Sequence, residues 1–178
     1  DGQLVVLGRV SEVVYTAHNE RFIPTYIENR LQFSHYIKDA CILGKGREYL
    51  NAIICIDFQA VGHWATEHSV PYSSYAELSQ HPKVYALIQE QIQKVNQLLP
   101  EPLRIRRFVN LHKEFDANDG EVTRTRKLRR NIIDQTYGAI IDAMYNNEDR
   151  IDFEAPIVYE TGETGVLKRT LHIHNTNE

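Results

Sequence analysis

The sequence predicts an α+β domain: an N-terminal β-hairpin, a small mixed sheet of about three strands flanked by helices, and a C-terminal β-hairpin extension. Three observations carry that prediction. The runs "DACILG" and "YLNAIICID" hold alternating or continuous apolar residues with β-branched content, as central strands do. The segment "HPKVYALIQEQIQKVNQLLP" repeats its apolar residues at the helical period instead. With 178 residues, 42% hydrophobic and 25% charged, the chain can bury one core with a small appendage.

The opening "DGQLVVLGRVSEVVYT" starts at a turn-forming Asp1-Gly2 and gives two β-rich runs, residues 4–7 and 10–16, about Gly8-Arg9. That pattern predicts a hairpin. A start in mid-hairpin without Met reads as a fragment with a neighbour upstream. Pro24 suits the first position of a helix over "PTYIENRLQFS", where its missing N–H would have had no helical partner, and Ile27 and Leu31 lie four apart on one face. Gly44 and Gly46 mark the turn between the two central strand runs. A helix is predicted over residues 59–68, then a polar, turn-rich stretch in "SVPYSSYAEL". The long helix that follows is bracketed by Pro82 and Pro100, with Val84, Leu87, Ile88, Ile92, Val95 and Leu99 on one stripe. "LRIRRFVNL" alternates basic and apolar residues as a half-buried strand would, and "EFDANDGEVT" supplies a tight turn. The last helix is predicted to run from near Leu128 to "YNNED", with Ile133, Tyr137, Ile140, Ile141 and Met144 at its period. The tail "APIVYETGETGVLKRTLHIH" reads as two short strands about a Gly-Glu-Thr-Gly turn.

Several chemistries are poorly served by these residues. Cys41 and Cys55 lie inside apolar runs and read as reduced core residues, which favours a cytoplasmic location. No apolar run approaches the ~18 residues of a membrane span, and residues 1–20 lack the parts of a signal peptide. "DANDG" is one residue short of a calcium loop before Gly120, and Arg126 stands where that loop needs Glu. His172 and His174 share a strand face and His63 and His68 are five apart, but no acid or cysteine cluster joins either pair, so no metal site is expected. Trp64, beside Val61 and Ala65, reads as core.

One stretch stands out. In "GEVTRTRKLRRNII", five of the seven residues from Arg124 to Arg130 are basic, in a chain whose formal net charge is -4. Such a chain is a poor candidate for a dedicated nucleic-acid binder. Cations at a helix start oppose the macrodipole at about 0.3–1 kcal/mol each. The same arrangement, with free backbone N–H groups, suits an incoming phosphate or carboxylate. An anion site, a solvated basic face and a nucleic-acid patch all remain compatible with the run itself.

Four stretches taken together, "DGQLVVLGRVSEVVYTAHNERFIPTYIENRL", "YIKDACILGKGREYLNAIICID", "VNQLLPEPLRIRRFVNLHKEFD" and "GEVTRTRKLRRNII", resemble the C-terminal domain of the adenylate-forming (AMP-binding) enzymes. The likeness is greatest to the long-chain fatty acid–CoA ligases, also called acyl-CoA synthetases. It rests on a Gly-Arg hinge hairpin, a Pro-x-x-Ile-Glu helix and a Thr-x-Thr-x-Lys loop, and it runs to about Tyr145. The tail resembles an extension of some bacterial members. The resemblance implies a mobile lid over residues 1–150, a hairpin extension over 151–178, and a large N-terminal adenylation domain that this chain lacks.

It further implies a fatty acid, ATP and coenzyme A as substrates, AMP as a product, and Mg²⁺ bound by the N-terminal domain. Nucleic acid is not an implied partner; peripheral membrane contact by the intact enzyme is. Lys127 matches the lysine that bridges the substrate carboxylate and the ATP phosphates during adenylation. Arg9 matches an arginine near the nucleotide, and Ser11 the hinge pivot, usually Asp or Lys. His18, Asn19 and Glu20 match a turn lining the coenzyme A channel, with Asn19 in place of the usual Gly. Alone, the lid would activate nothing. A non-catalytic interaction module that keeps the lid fold is the rival expectation, with Ser11 and Asn19 as its signs.

Overall fold

In the computed structural model, which describes residues 12–158 and 160–177, the chain begins with a short ladder, β1 (Val14–Tyr15) against β2 (Arg21–Phe22). There follow α1 (Pro24–Leu31), β3 (Ile37–Leu43), β4 (Leu50–Ile56), α2 (Phe58–Glu67), α3 (Tyr75–Ser79) and α4 (Pro82–Asn96). A 3₁₀ turn at Glu101–Leu103 leads to β5 (Ile105–Asn110), then α5 (Arg130–Thr136), α6 (Gly138–Tyr145), β6 (Arg150–Val158) and β7 (Thr164–Asn175). The expected strand runs at 4–7 and 10–11 lie outside the described residues.

The main sheet is five-stranded in the order β3-β4-β5-β7-β6. Its first three strands are the small mixed sheet that the sequence predicts: β3 pairs antiparallel with β4, and β4 pairs parallel with β5. A parallel pair needs a long crossover, here supplied by α2, α3 and α4. The tail hairpin does not stand apart. β7 runs antiparallel to β5, with Phe108 opposite His174, and carries β6 on its far side.

Every residue of β4 is buried, because both faces of the sheet are covered. Its alternation separates two cores. Leu50, Ala52, Ile54 and Ile56 meet α1, α2 and α4, where Ile27, Leu31, Val61, Val84, Ile88 and Ile92 pack. Ile53 and Cys55 point the other way, toward Ile133, Tyr137, Ile140 and Met144 of the last helical segment and Phe153, Leu171 and Ile173 of the tail. Each fully buried aliphatic side chain contributes about 1.5–3 kcal/mol. Cys41 and Cys55 are free and buried. Trp64 packs against the first core and stacks on His68, with ring centroids 4.6 Å apart.

Local chemistry sets the helix ends. Pro24 and Pro82 each open a helix, Asp57 caps α2 by accepting from the Ala60 N–H (3.0 Å), and Ser74 caps α3 by accepting from the Glu77 N–H (3.1 Å). The stretch containing α3 carries too few apolar residues to show a helical period, and the cap is its local signal. The predicted last helix is divided at Tyr137, whose φ and ψ of -110° and 20° leave the helical region just before Gly138. Gly is a poor helix former, so the break costs little there. The bonds Tyr137 N–H to Ile133 C=O (2.9 Å) and Ile141 N–H to Tyr137 C=O (3.0 Å) still bridge it.

Side chains such as Tyr85 and Arg107 tie the tail to the body. The Tyr85 hydroxyl on α4 donates to the His172 carbonyl (2.6 Å) and accepts from the Asn110 N–H (3.1 Å), joining β7 to the end of β5. Arg107, buried in β5, donates to Asn175 Oδ1 (3.0 Å) and to the carbonyls of Met144 in the last turn of α6 and of Glu148 beyond it. His172 and His174 accordingly share the face toward Tyr85, at centroid distances of 6.4 and 4.2 Å.

Candidate functional site

The basic run divides into cations with buried partners and cations without. Arg130, at the start of α5, forms a bidentate pair with Glu28 of α1, Nη1 to Oε2 at 2.7 Å and Nη2 to Oε1 at 2.6 Å. Glu28 is 5% exposed and also accepts the Ile42 N–H (2.7 Å), so it knots α1, β3 and α5 together. Burial would lower the Arg130 pKa, but the hydrogen bonds and charge of Glu28 hold it above its ordinary value. Arg126 reaches back to Asp39 of β3 and to the Phe115 carbonyl (3.2 Å). Burial pushes the Asp39 carboxyl above its usual range although the Arg126 guanidinium beside it pulls the other way. Arg124, Lys127 and Arg129 are exposed, and their side chains have no hydrogen-bond or ion-pair partner among the described residues.

The loop that carries Lys127 is fixed from within. Val122 and Leu128 form a bridge, and inside it the Thr123 N–H donates to the Lys127 carbonyl (2.8 Å) while the Arg126 N–H donates to the Thr123 carbonyl (3.0 Å). The Lys127 N–H donates to Thr123 Oγ1 (3.1 Å), which also lies 3.1 Å from Thr125 Oγ1. The reversal is completed by Arg126 at φ +65°, a left-handed conformation uncommon for a residue with a Cβ. Just before it, Gly120 supplies φ +75° for the tight turn after "DAND".

Glu121 anchors the base of this loop. It is 1% exposed, pairs with Lys113, accepts the Asp116 N–H (3.0 Å) and accepts from the Tyr137 hydroxyl. Burial first, and then the Glu121 carboxylate, push the Tyr137 phenol up. Lys127 lines a groove of about 590 Å³ with Thr25, Asn29, Gln32 and Arg129. A second groove of about 730 Å³, rimmed by Lys45, Arg47 and Asp134, shares Val14, Pro24, Arg130 and Asn131 with the first.

The turn at residues 16–20 is built differently. The Thr16 N–H donates to the Glu20 carbonyl (3.0 Å), the Glu20 N–H returns to Thr16 Oγ1 (3.1 Å), and Asn19 sits at φ +64°. Asn is the non-Gly residue best suited to that conformation, so the turn closes without glycine. The turn docks on the β3–β4 loop through the Ala17 N–H to the Arg47 carbonyl (2.8 Å) and the Gly46 N–H to the Tyr15 carbonyl (2.9 Å). His18, Asn19 and Glu20 are exposed and are not walls of the groove that Lys127 lines. Arg9 and Ser11 lie outside the described residues. Among the described residues no group of three His, Cys, Asp or Glu side chains stands ready to hold a metal, and no helix is long and apolar enough to cross a membrane.

The sequence alone assigns no role to Arg124, Arg126, Arg129 or Arg130 and does not mark Glu28, Asp39 or Glu121 as their partners or neighbours. Two signals were present. Glu28 follows Ile27 and precedes Leu31 by three residues, placing a carboxylate on the edge of the apolar stripe of α1. Asp39 is a buried acid in a strand whose other polar residue, Lys38, is exposed.

Known proteins resemble this chain over most of its length. A family model described as the AMP-binding enzyme C-terminal domain matches residues 11–149. The long-chain-fatty-acid–CoA ligase FadD15 of Mycobacterium tuberculosis is 29% identical over 149 residues, 83% of this chain and 25% of that protein. The long-chain-fatty-acid–CoA ligase ACSBG2 of Mus musculus is 30% identical over 160 residues, 80% of this chain and 24% of the relative. The chain thus spans about a quarter of the length of these curated relatives. Among solved structures, the adenylation domain of a carboxylate reductase from Mycobacterium chelonae superposes with a TM-score of 0.62 at 24% identity, covering 79% of this chain and 20% of that one. The A-PCP didomain of a carboxylic acid reductase from Segniliparus rugosus, in complex with AMP, gives 0.60 at 18% identity over 80% of this chain and 18% of that one. These two likenesses bear on the fold.

Proposed function

The chain belongs to the AMP-binding enzyme C-terminal domain family, and on that premise we propose that it is the mobile lid of a cytoplasmic, ATP-dependent long-chain fatty acid–CoA ligase. In this reading residues 1–150 are the lid and 151–178 its extension. The parent enzyme joins a fatty acid to the AMP moiety of ATP with release of pyrophosphate, and then transfers the acyl group to coenzyme A with release of AMP. The observation that carries the reading is the sorting of the basic run: Arg126 and Arg130 are bound to carboxylates of the body, while Lys127 stands unpartnered at the lip of a groove on a hydrogen-bonded loop.

That arrangement suits the first half-reaction. A carboxylate oxygen attacks the α-phosphorus and pyrophosphate leaves, so two anions must approach each other. An ammonium placed between them stabilises the crowded transition state more than the separated reactants. A compact charge on a long stem touches both anions, which the planar Arg fork does less easily. Mg²⁺ would neutralise phosphate charge and belongs, in this reading, to the N-terminal adenylation domain, together with the fatty-acyl tunnel. Arg9 would contact the nucleotide and Ser11 would be the pivot of the domain rotation. His18, Asn19 and Glu20 would border the coenzyme A channel in the second half-reaction.

In the intact enzyme, Lys127→Ala should abolish fatty-acid-dependent ATP–pyrophosphate exchange and leave thioester formation from supplied acyl-adenylate largely in place. Equal loss of both steps would give Lys127 a structural role instead. The chain alone should fold and show no ATP turnover.

A further inference from the structure

We propose that Asp39 and Arg126 are positioning residues for Lys127: an ion pair between strand and loop that fixes where the lysine backbone stands. The inference rests on the reading of Lys127 given above. Asp39 is 3% exposed on β3, and the β3–β4 register shifts between Ile37 and Asp39, an irregularity of the kind that re-aims a side chain. A carboxylate so buried needs a cation. Its partner comes from 87 residues away and from the residue immediately before Lys127.

The local geometry couples the pair to the lysine. Arg126 holds φ +65°, and its guanidinium binds Asp39 and the Phe115 carbonyl at once, while Gln32 steadies the carboxylate from α1's end (3.4 Å). The backbone of the next residue is held by Thr123 on both sides, the Lys127 N–H at Thr123 Oγ1 and the Lys127 carbonyl at the Thr123 N–H. Arg126 therefore anchors one end of a closed ring of bonds that includes the Lys127 backbone. The left-handed backbone is tolerated at Arg126 because the side chain is bound on the sheet side of the loop. The side chain of Lys127, with no partner of its own, is left for solvent and substrate.

The test separates anchoring from folding with two variants: Arg126→Gly keeps φ +65° accessible but adds backbone freedom, and Asp39→Asn removes the charge of the anchor while the loop sequence stays as it is. In the chain by itself, the amides of Thr123 and Lys127 should exchange hydrogen faster in both Arg126→Gly and Asp39→Asn, while those of β4 and β5 keep their protection. In the intact enzyme, Arg126→Gly and Asp39→Asn should lower kcat for ATP–pyrophosphate exchange by about 10²-fold, with KM for ATP and the thioester step within about twofold. Arg126→Lys, whose ammonium can still meet Asp39, should recover part of the loss. Unchanged exchange kcat in Arg126→Gly, or both half-reactions falling together, would overturn the proposal. Lys127→Ala measured in parallel keeps the two ideas apart. If it abolishes exchange while Arg126→Gly does not, the positioning role fails and the Lys127 reading stands. If Lys127→Ala exchanges normally, the reading itself fails.

Discussion

Acidification should destabilise the chain through His112. The residue follows the end of β5, is 7% exposed, and packs its ring against Phe153 of β6 with centroids 5.4 Å apart. Its Nδ1 has no partner among the described residues. Burial first, and then the charges of Lys113 and Arg169, lower its pKa from 6.5 to about 4. Below about pH 6.5 the unfolded chain takes up a proton on this histidine that the folded chain refuses until about pH 4. The contribution of neutral His112 is therefore complete above the unfolded value and is lost as pH falls toward the folded one. A difference of about 2.5 units at 1.36 kcal/mol per unit gives about 3 kcal/mol, a large part of the 5–15 kcal/mol that holds an ordinary domain together. Urea unfolding followed by far-UV circular dichroism between pH 8 and pH 4 measures it, for the parent and for His112→Gln. Carboxylates titrating in the same range cancel in the comparison. The parent should lose about 3 kcal/mol more than the variant over that interval, and parallel curves would refute the assignment.

Two further outcomes test the framework around the loop. Arg130→Met leaves the Glu28 carboxylate, whose side chain is 6% exposed, without its cation. Breaking such a pair costs about 3–5 kcal/mol, and the lower end applies because the Arg130 side chain keeps 35% of its surface; adding Glu28→Leu should recover much of the loss in a denaturant melt, and a single-variant loss under about 1 kcal/mol would count against the knot. At Asn19, φ +64° makes a β-branched side chain costly. Asn19→Val should lower stability by about 1–2 kcal/mol while Asn19→Gly stays near the parent, and equal melting temperatures for the two would contradict the turn geometry.

What the sequence announced and what it concealed follow from the range of the interactions. The stripe of α4 and the apolar runs of β3 and β4 are local patterns, readable because burial on one side imposes a period. Pro24 and Pro82 mark helix starts for a local steric reason. Lys127 and the turn at residues 18–20 are marked by the resemblance to the family's loops, and the tolerance of Asn for positive φ explains how that turn closes at Asn19 without glycine. By contrast, Arg126 meets Asp39 across 87 residues and Arg130 meets Glu28 across 102, and charge spacing along the chain says nothing of such partners. The run looked like one positive patch for that reason. The division of the last helix was equally hidden, since Tyr137 fits the helical period and leaves it only where its hydroxyl meets Glu121.

The pairing of β7 with β5 also bears on the order in which the molecule can be assembled. β4 and β5 are already joined through a helical crossover, and the loop, α5, α6 and β6 all leave the ribosome before β7 does. Until then the edge of β5 away from β4, at Arg107, Phe108 and Val109, has no strand beside it, and a nascent chain at this stage offers an open rim to any other strand it meets. The same strand supplies the carbonyl that takes the Tyr85 hydroxyl. β7 thus seals the sheet after every other described strand has emerged, so a chain stalled or clipped before β7 would be most exposed to misassociation at that rim.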